Sequence, residues 1–284
     1  MAIYTALISP QDVLSNLHRQ DWVIVDCRFD LMQPDWGFLS YQEGHIPGAV
    51  YADLDRDLSG PRTPLTGRHP LPDPDVFCRR LSQWGIDPTK QVVVYDTVGG
   101  AFAARLWWLL RFFYHEAVAI LDGGFDHWVR QGFPVEKGVH TNSPSIFRAQ
   151  PKPSFFVTTA EIEQHLQQPR FLLIDARAPE RYRGETEPID PVAGHIPGAV
   201  NRFHQNNLNP DGTFKSPVTL REEFTALLGS TPPEQVVVYC GSGVTSCHHI
   251  LAMEIAGLHG ARLYVGSWSE WIRDPNRPIA FGTE

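Results

Sequence analysis

The stretch VVVYCGSGVTSC, residues 236–247, runs β-favouring residues into a cysteine and then places two glycines within three positions. A continuous apolar run without alternation suits a strand buried on both faces, as in a parallel sheet covered by helices. The residues that follow, SCHHILAMEIAG, carry a helical signal, so the segment reads as strand, tight turn and helix. Glycines allow positive φ and close backbone approach. The amides of Gly241, Gly243, Val244 and Thr245 can therefore turn inward around Cys240 as an anion-binding nest. The helix N-terminus adds partial positive charge at the same point. Both effects favour thiolate over thiol, and the thiolate is the nucleophile. Ligands of open α/β folds also gather at the carboxyl ends of the strands.

The same landmarks occur twice, in the same order. VIVDCR (23–28), EGHIPGAV (43–50), VVVYDTVGG (92–100) and AILDGGFDHW (119–128) are matched by LLIDAR (172–177), AGHIPGAV (193–200), VVVYCGSGV (236–244) and LYVGSWSEW (263–271). Asp26 to Asp175 spans 149 positions, His45 to His195 spans 150, and Asp96 to Cys240 spans 144. Offsets this steady indicate duplicated domains rather than a short-period solenoid. The first copy keeps the strand and loop but carries Asp96 where the second carries Cys240, so the fold does not require a cysteine there. Only the second copy is armed.

Ser9-Pro10 predicts a helix start, and Thr158-x-x-Glu161 and Thr219-x-x-Glu222 fit capping boxes. Gly85 and Gly229 stand where helices should end. The Ser-, Pro- and Lys-rich stretch 138–157 reads as a linker. The expected organisation is residues 1–137 as one α/β domain and 158–284 as a second, each a parallel sheet flanked by helices.

A chain of 284 residues suffices for two such domains. Its net charge of −8 argues against general nucleic-acid binding, and no basic run suggests a membrane surface. An anionic substrate would have to be attracted by local groups. The N-terminus, MAIYTALISPQDVL, reads as neither a signal nor a transit peptide, and no apolar run is long enough to span a bilayer. Four scattered cysteines do not make a disulfide scaffold, so a cytoplasmic protein with reduced thiols is expected. Cys27 and Cys78 fall in apolar runs and read as core. Cys247 falls on the first turn after the loop and reads as filler.

The duplicated halves, the two GHIPGAV segments and Cys-Gly-Ser-Gly-Val-Thr resemble the two-domain rhodanese superfamily, and the six-residue loop resembles its 3-mercaptopyruvate sulfurtransferases. The resemblance covers essentially the whole chain. It implies a five-stranded parallel sheet in each domain, a silent first domain, and a Cys240 that accepts a sulfane sulfur as a persulfide. The sulfur then passes to cyanide, a small thiol or a protein thiol, with no cofactor or metal. Preorganised amides would hold the negative outer sulfur, and two half-reactions imply double-displacement kinetics.

Mercaptopyruvate leaves as an enolate that must collect a proton, whereas thiosulfate leaves as sulfite and needs none. The family's mercaptopyruvate enzymes use a Ser-His-Asp relay, which by resemblance falls on Ser242, on His69 in GRHPLP and on Asp55 in ADLD. A carboxylate-bearing donor also wants a guanidinium fork. Arg181 in ERYRG matches one family arginine. The second has no counterpart in ETEPIDPVAGH, which leaves Arg183 or Arg202 as substitutes. The loop also lacks the cationic residues that follow the cysteine in thiosulfate-preferring relatives, which favours mercaptopyruvate. His45 and His195 occur in both copies, so they read as structural.

Three rival readings fare less well. A cysteine phosphatase needs Cys-x5-Arg, but the sixth residue after Cys240 is Ser246. A persulfide carrier docking on proteins would turn over small acceptors slowly. Zinc held by Cys240, Cys247, His248 and His249 matches no closed site and would quench the thiolate.

Overall fold

Both VVVY runs become the central strand of a five-stranded parallel sheet in the computed structural model, which describes residues 3–283. Close contacts divide the chain into two units. The first holds the chain up to Gly60, Leu71–Lys152 and Leu208–Phe214; the second holds Pro61–Pro70, Pro153–Asn207 and Lys215 onward. The segment Pro61–Pro70 thus packs with the second unit although it lies within the first half of the sequence.

The first unit contains β1 (Leu7–Ile8), α1 (Pro10–Asn16), β2 (Trp22–Asp26), α2 (Trp36–Glu43), β3 (Val50–Tyr51), α3 (Pro74–Gln83), β4 (Gln91–Tyr95), α4 (Ala103–Phe112), β5 (Val118–Leu121) and α5 (Gly124–Arg130). The second contains β6 (Phe156–Val157), α6 (Thr159–Gln167), β7 (Leu172–Asp175), α7 (Pro179–Tyr182), β8 (Val200–Asn201), α8 (Pro217–Leu228), β9 (Val236–Tyr239), α9 (Thr245–Ile255), β10 (Arg262–Tyr264) and α10 (Ser267–Trp271). The sheets run β1-β5-β4-β2-β3 and β6-β10-β9-β7-β8, the same topology twice. All pairings are parallel, with Val94 opposite Val25 in one sheet and Val238 opposite Ile174 in the other. The expected α/β class with tandem five-stranded sheets holds.

Local signals explain most element ends. Ser9 Oγ accepts from the Asp12 amide with Pro10 in the first turn, and Thr158 and Glu161 form the full capping box. Gly85 (φ 78°) and Gly229 (φ 56°) end α3 and α8 in the left-handed region. Thr219 does not cap α8. Ser216 does, accepting from the Thr219 amide at 3.1 Å, because the upstream Ser216-Pro217 pair supplies both the oxygen and the fixed first φ. Residues 138–152 lie against α3, where the Ser145 and Phe147 amides donate to Ser82, and Phe156–Val157 forms the edge strand β6.

The duplicated landmarks are duplicated pins. Arg28 and Arg177 pair with Asp26 and Asp175 at 2.6 Å, buried, and each donates to the carbonyl that precedes the GHIPGAV histidine, Gly44 or Gly194. His45 and His195 are buried, donate from Nδ1 to the carbonyls of Tyr41 and Tyr182, and stack on those same rings at 4.1 and 3.7 Å. The Tyr95 and Tyr239 hydroxyls accept from the Ile46 and Ile196 amides. Each turn is thereby tied to the end of its central strand.

Candidate active site

Cys240 leaves the end of β9 and is 2% exposed. Its amide donates to Ser267 Oγ at 3.1 Å, and its carbonyl accepts from the Trp268 amide at 3.0 Å. Ser267 holds φ 53°, a left-handed conformation that costs a non-glycine residue about 1 kcal/mol or more. The corresponding residue of the first unit is Gly124, at φ 62°. The strained serine thus occurs in the copy that carries the thiol. Gly243 (φ 77°) is required in the turn, because a Cβ there would lie 2.5 Å from the Val265 carbonyl oxygen. Val244 opens α9 with no side-chain cap, leaving the first amides of the helix for a ligand.

The electrostatics of the four cysteines differ. Burial pushes the Cys27 and Cys78 thiols up, Cys27 further because it is more deeply buried and Asp26, Asp96 and Asp57 stand near it. Burial also acts against Cys240, but the hydroxyls of Ser246 and Thr245 and the amides of Ser242 and Ser246 outweigh it and hold its thiol below the ordinary value. Cys247 is buried and directs its S–H to the Gly243 carbonyl at 3.4 Å.

The first unit displays the same loop already filled. Asp96 Oδ1 accepts from the Val98 and Gly100 amides at 2.8 Å, and Oδ2 accepts from Phe102 at 2.8 Å and Ala103 at 2.9 Å. A carboxylate built into the chain occupies the nest.

Around Cys240 the second unit assembles groups from four stretches of sequence. His69 arrives on Pro61–Pro70, which is held by bonds from the Gly67 amide to Glu270, from the Arg68 amide to Ser269 Oγ, and from Arg273 to the Thr66 carbonyl. His69 Nδ1 lies 2.7 Å from Ser242 Oγ, both groups buried. Arg181 is bidentate on Glu187 and reaches Asp190 at 3.3 Å. Arg68 also pairs with Asp190. A Cβ placed on Gly241 would meet Arg68 Nη2 at 2.8 Å and Arg181 Nη2 at 3.6 Å, so both guanidiniums stand beside the residue following the cysteine.

The expected substitutes for a second arginine are not the ones found there. Arg202 packs over Phe224 and is engaged by Glu223 at 2.7 Å and by Asn207, and Arg183 pairs with Glu185. These carboxylates, not the cysteine loop, hold the two side chains. Arg68 is the residue that spacing did not disclose, although it precedes His69 directly. Asp55 lies in the first unit, half-buried in the turn after β3, with its amide on Asp53 Oδ1.

Behind α9, His248 and His249 face the Asn207 amide at 3.3 and 3.4 Å, and His204 stands edge-on to His248. Burial pushes His204 down to about 4 and pushes His249 well below the usual range, the charges of Arg202, His248 and His204 adding to the effect. The unfolded chain protonates these groups near pH 6.5 and the folded chain resists, so stability is full above that pH and falls toward pH 4. The expected loss is about 1.4 kcal/mol per pH unit for each such histidine. Urea midpoints of the second unit measured from pH 7 to 5 check this, and His204→Gln should flatten the slope. An unchanged midpoint across that range would refute it.

Comparison with known proteins gives a consistent set of relatives. Residues 9–131 and 158–274 each match the family described as Rhodanese-like domain. A Pseudomonas aeruginosa protein named "Probable 3-mercaptopyruvate sulfurtransferase" is 49% identical over 278 residues, 97% of this chain and 98% of that one. The thiosulfate sulfurtransferase of Rattus norvegicus is 37% identical over 240 residues, 82% of this chain and 79% of that one. Among solved structures, 3-mercaptopyruvate sulfurtransferase from Leishmania major superposes with a TM-score of 0.84 at 30% identity, covering 95% of this chain and 76% of that one.

Proposed function

The chain belongs to the rhodanese family of sulfurtransferases, and on that premise we propose that it takes a sulfane sulfur from 3-mercaptopyruvate as a Cys240 persulfide and passes it to cyanide or a thiol. The Cys240 thiolate attacks the donor sulfur. The C–S bond breaks, and its electron pair leaves on carbon as pyruvate enolate, which takes a proton. An acceptor then attacks the outer sulfur, and the S–S pair returns to Sγ. The two steps share one nest, which holds negative charge on Sγ first and on the outer sulfur afterwards.

The observation that carries the donor assignment is the buried Ser242–His69 pair, 2.7 Å apart and beginning two residues from the nucleophile. A poised proton carrier serves an enolate leaving group and has no work to do for sulfite. Arg181 and Arg68 supply the fork for the donor carboxylate, Arg68 standing in for the arginine absent from ETEPIDPVAGH. Asp190, bonded to both, keeps them aligned. Residues 1–137 form the silent domain and 158–284 the armed one. Four free cysteines and the absence, among the described residues, of a helix long and apolar enough to cross a membrane fit work in the cytoplasm with small-molecule donors and acceptors.

Steady-state transfer from mercaptopyruvate and from thiosulfate, run side by side, tests the assignment. Mercaptopyruvate is expected to give the higher kcat/KM, with a gain of one sulfur in intact mass that is confined to Cys240, erased by cyanide and absent in Cys240→Ser. Arg68→Ala should raise KM for the donor about 10- to 100-fold, the scale of one or two charge-assisted hydrogen bonds, and Arg202→Ala should not. A clear preference for thiosulfate would reassign the donor. Ready transfer to a protein thiol with slow turnover of cyanide would make the chain a carrier.

A further inference from the structure

One side chain in contact with the reacting sulfur has no place in the relay or the fork. Ser246 is fully buried in the first turn of α9, and its Oγ donates to Cys240 Sγ at 3.4 Å. A serine inside a helix ordinarily bonds back to the carbonyl four residues earlier. Cys247, the next residue, does this with Gly243, whereas Ser246 turns to the sulfur instead. The duplication supplies an internal control. The first turn of α4, Ala103-Ala104-Arg105, carries no hydroxyl, so the first unit, which has no thiol, has none at this place.

We propose that the Ser246 hydroxyl is a catalytic hydrogen-bond donor to Cys240 that stabilises the departing thiolate when the acceptor takes the sulfur. The inference rests on the persulfide reading for its kinetic half. In the free enzyme Sγ bears the charge and accepts the bond strongly. In the persulfide the charge moves to the outer sulfur, and Sγ becomes a weak neutral acceptor. The hydroxyl therefore favours thiolate over persulfide. It eases discharge, in which the acceptor's lone pair forms the new bond to sulfur and the Sγ–S pair returns to Sγ, and it makes the loading nucleophile slightly weaker. The electrostatics of the Cys240 thiol agree, since it is held below its ordinary value and the Ser246 hydroxyl is the largest influence opposing burial there.

The test uses the full chain with Ser246→Ala and Ser246→Thr. The first removes one oxygen, and the second keeps the hydroxyl. The pH profile of Cys240 alkylation by iodoacetamide, read from the labelled peptide, should move up by about one unit in the alanine variant. Enzyme preloaded with sulfur and freed of donor should then discharge to cyanide about 3- to 10-fold more slowly, while loading is not slowed at a pH where the thiol is ionised. Ser246→Thr should return both readouts toward wild type. Should the alanine variant melt early, the threonine variant and the wild-type alkylation profile still decide, because an unshifted wild-type thiol would overturn the claim. Coinciding profiles and discharge rates in wild type and Ser246→Ala would overturn it as well. So would equal slowing of loading and discharge, which points to packing. If wild-type enzyme never gains a sulfur, the persulfide reading fails, and the alkylation profile still judges the hydroxyl.

Discussion

His69→Ala is expected to lower kcat/KM for mercaptopyruvate by roughly 10²–10⁴, the usual yield of a positioned proton carrier, while thiosulfate turnover stays within a few-fold. The asymmetry follows from the leaving groups. An enolate expelled into a buried site needs a proton as it forms, and the pair of Ser242 Oγ and His69 Nδ1, 2.7 Å apart and beginning two residues from the nucleophile, is the carrier that this reading assigns to deliver one. Sulfite leaves as a stable anion. The ratio of the two donors is the useful readout, because losing a buried imidazole also removes packing and a hydrogen-bond partner, and that damage falls on both donors alike. Ser242→Ala should reproduce the asymmetry, and the double variant should fall little further, since a relay broken at one point is broken. Equal losses with both donors would remove the relay and leave His69 as a structural residue.

The legible parts of this molecule were those that duplication wrote twice. The central strands and the pinned GHIPGAV turns could be read because two copies agreed on them, and one disagreement between the copies, Asp96 against Cys240, pointed to the second as the one to carry the chemistry. What stayed hidden depended on where distant segments meet. Arg68 stands beside Gly241, yet 173 residues separate the two, and nothing in local periodicity says that Pro61–Pro70 packs with the second unit. Arg202, close in sequence to the expected position, was drawn away by Glu223 and Phe224, and a linear reading could not foresee that competition. Ser246 entered only as the place where a phosphatase would need arginine; its contact with sulfur depends on the pitch of the first helical turn. The misplaced cap on α8 has a local cause, since Ser216-Pro217 competes three residues upstream and wins.

Asp96→Ala is expected to destabilise the first unit by about 3 kcal/mol or more, lowering its melting midpoint by roughly 6–12 °C, although the proposed chemistry assigns Asp96 no part. Four main-chain N–H groups end on its two oxygens, and alanine leaves all of them buried or forces the loop to open. Burial pushes the Asp96 carboxyl up against the pull of those amides, so its removal also relieves a desolvation cost. The net loss should therefore be smaller than four separate bonds. The vacated nest should accept a small anion of the same shape. Formate at high concentration is expected to raise the midpoint of Asp96→Ala more than that of the wild type, by ordinary binding linkage. A variant that melts like the wild type and ignores formate would show that the loop holds its form without a ligand. The alternative result would make the silent loop a standing measure of how strongly this backbone holds a negative charge, which is the property the second copy turns on the sulfur of Cys240.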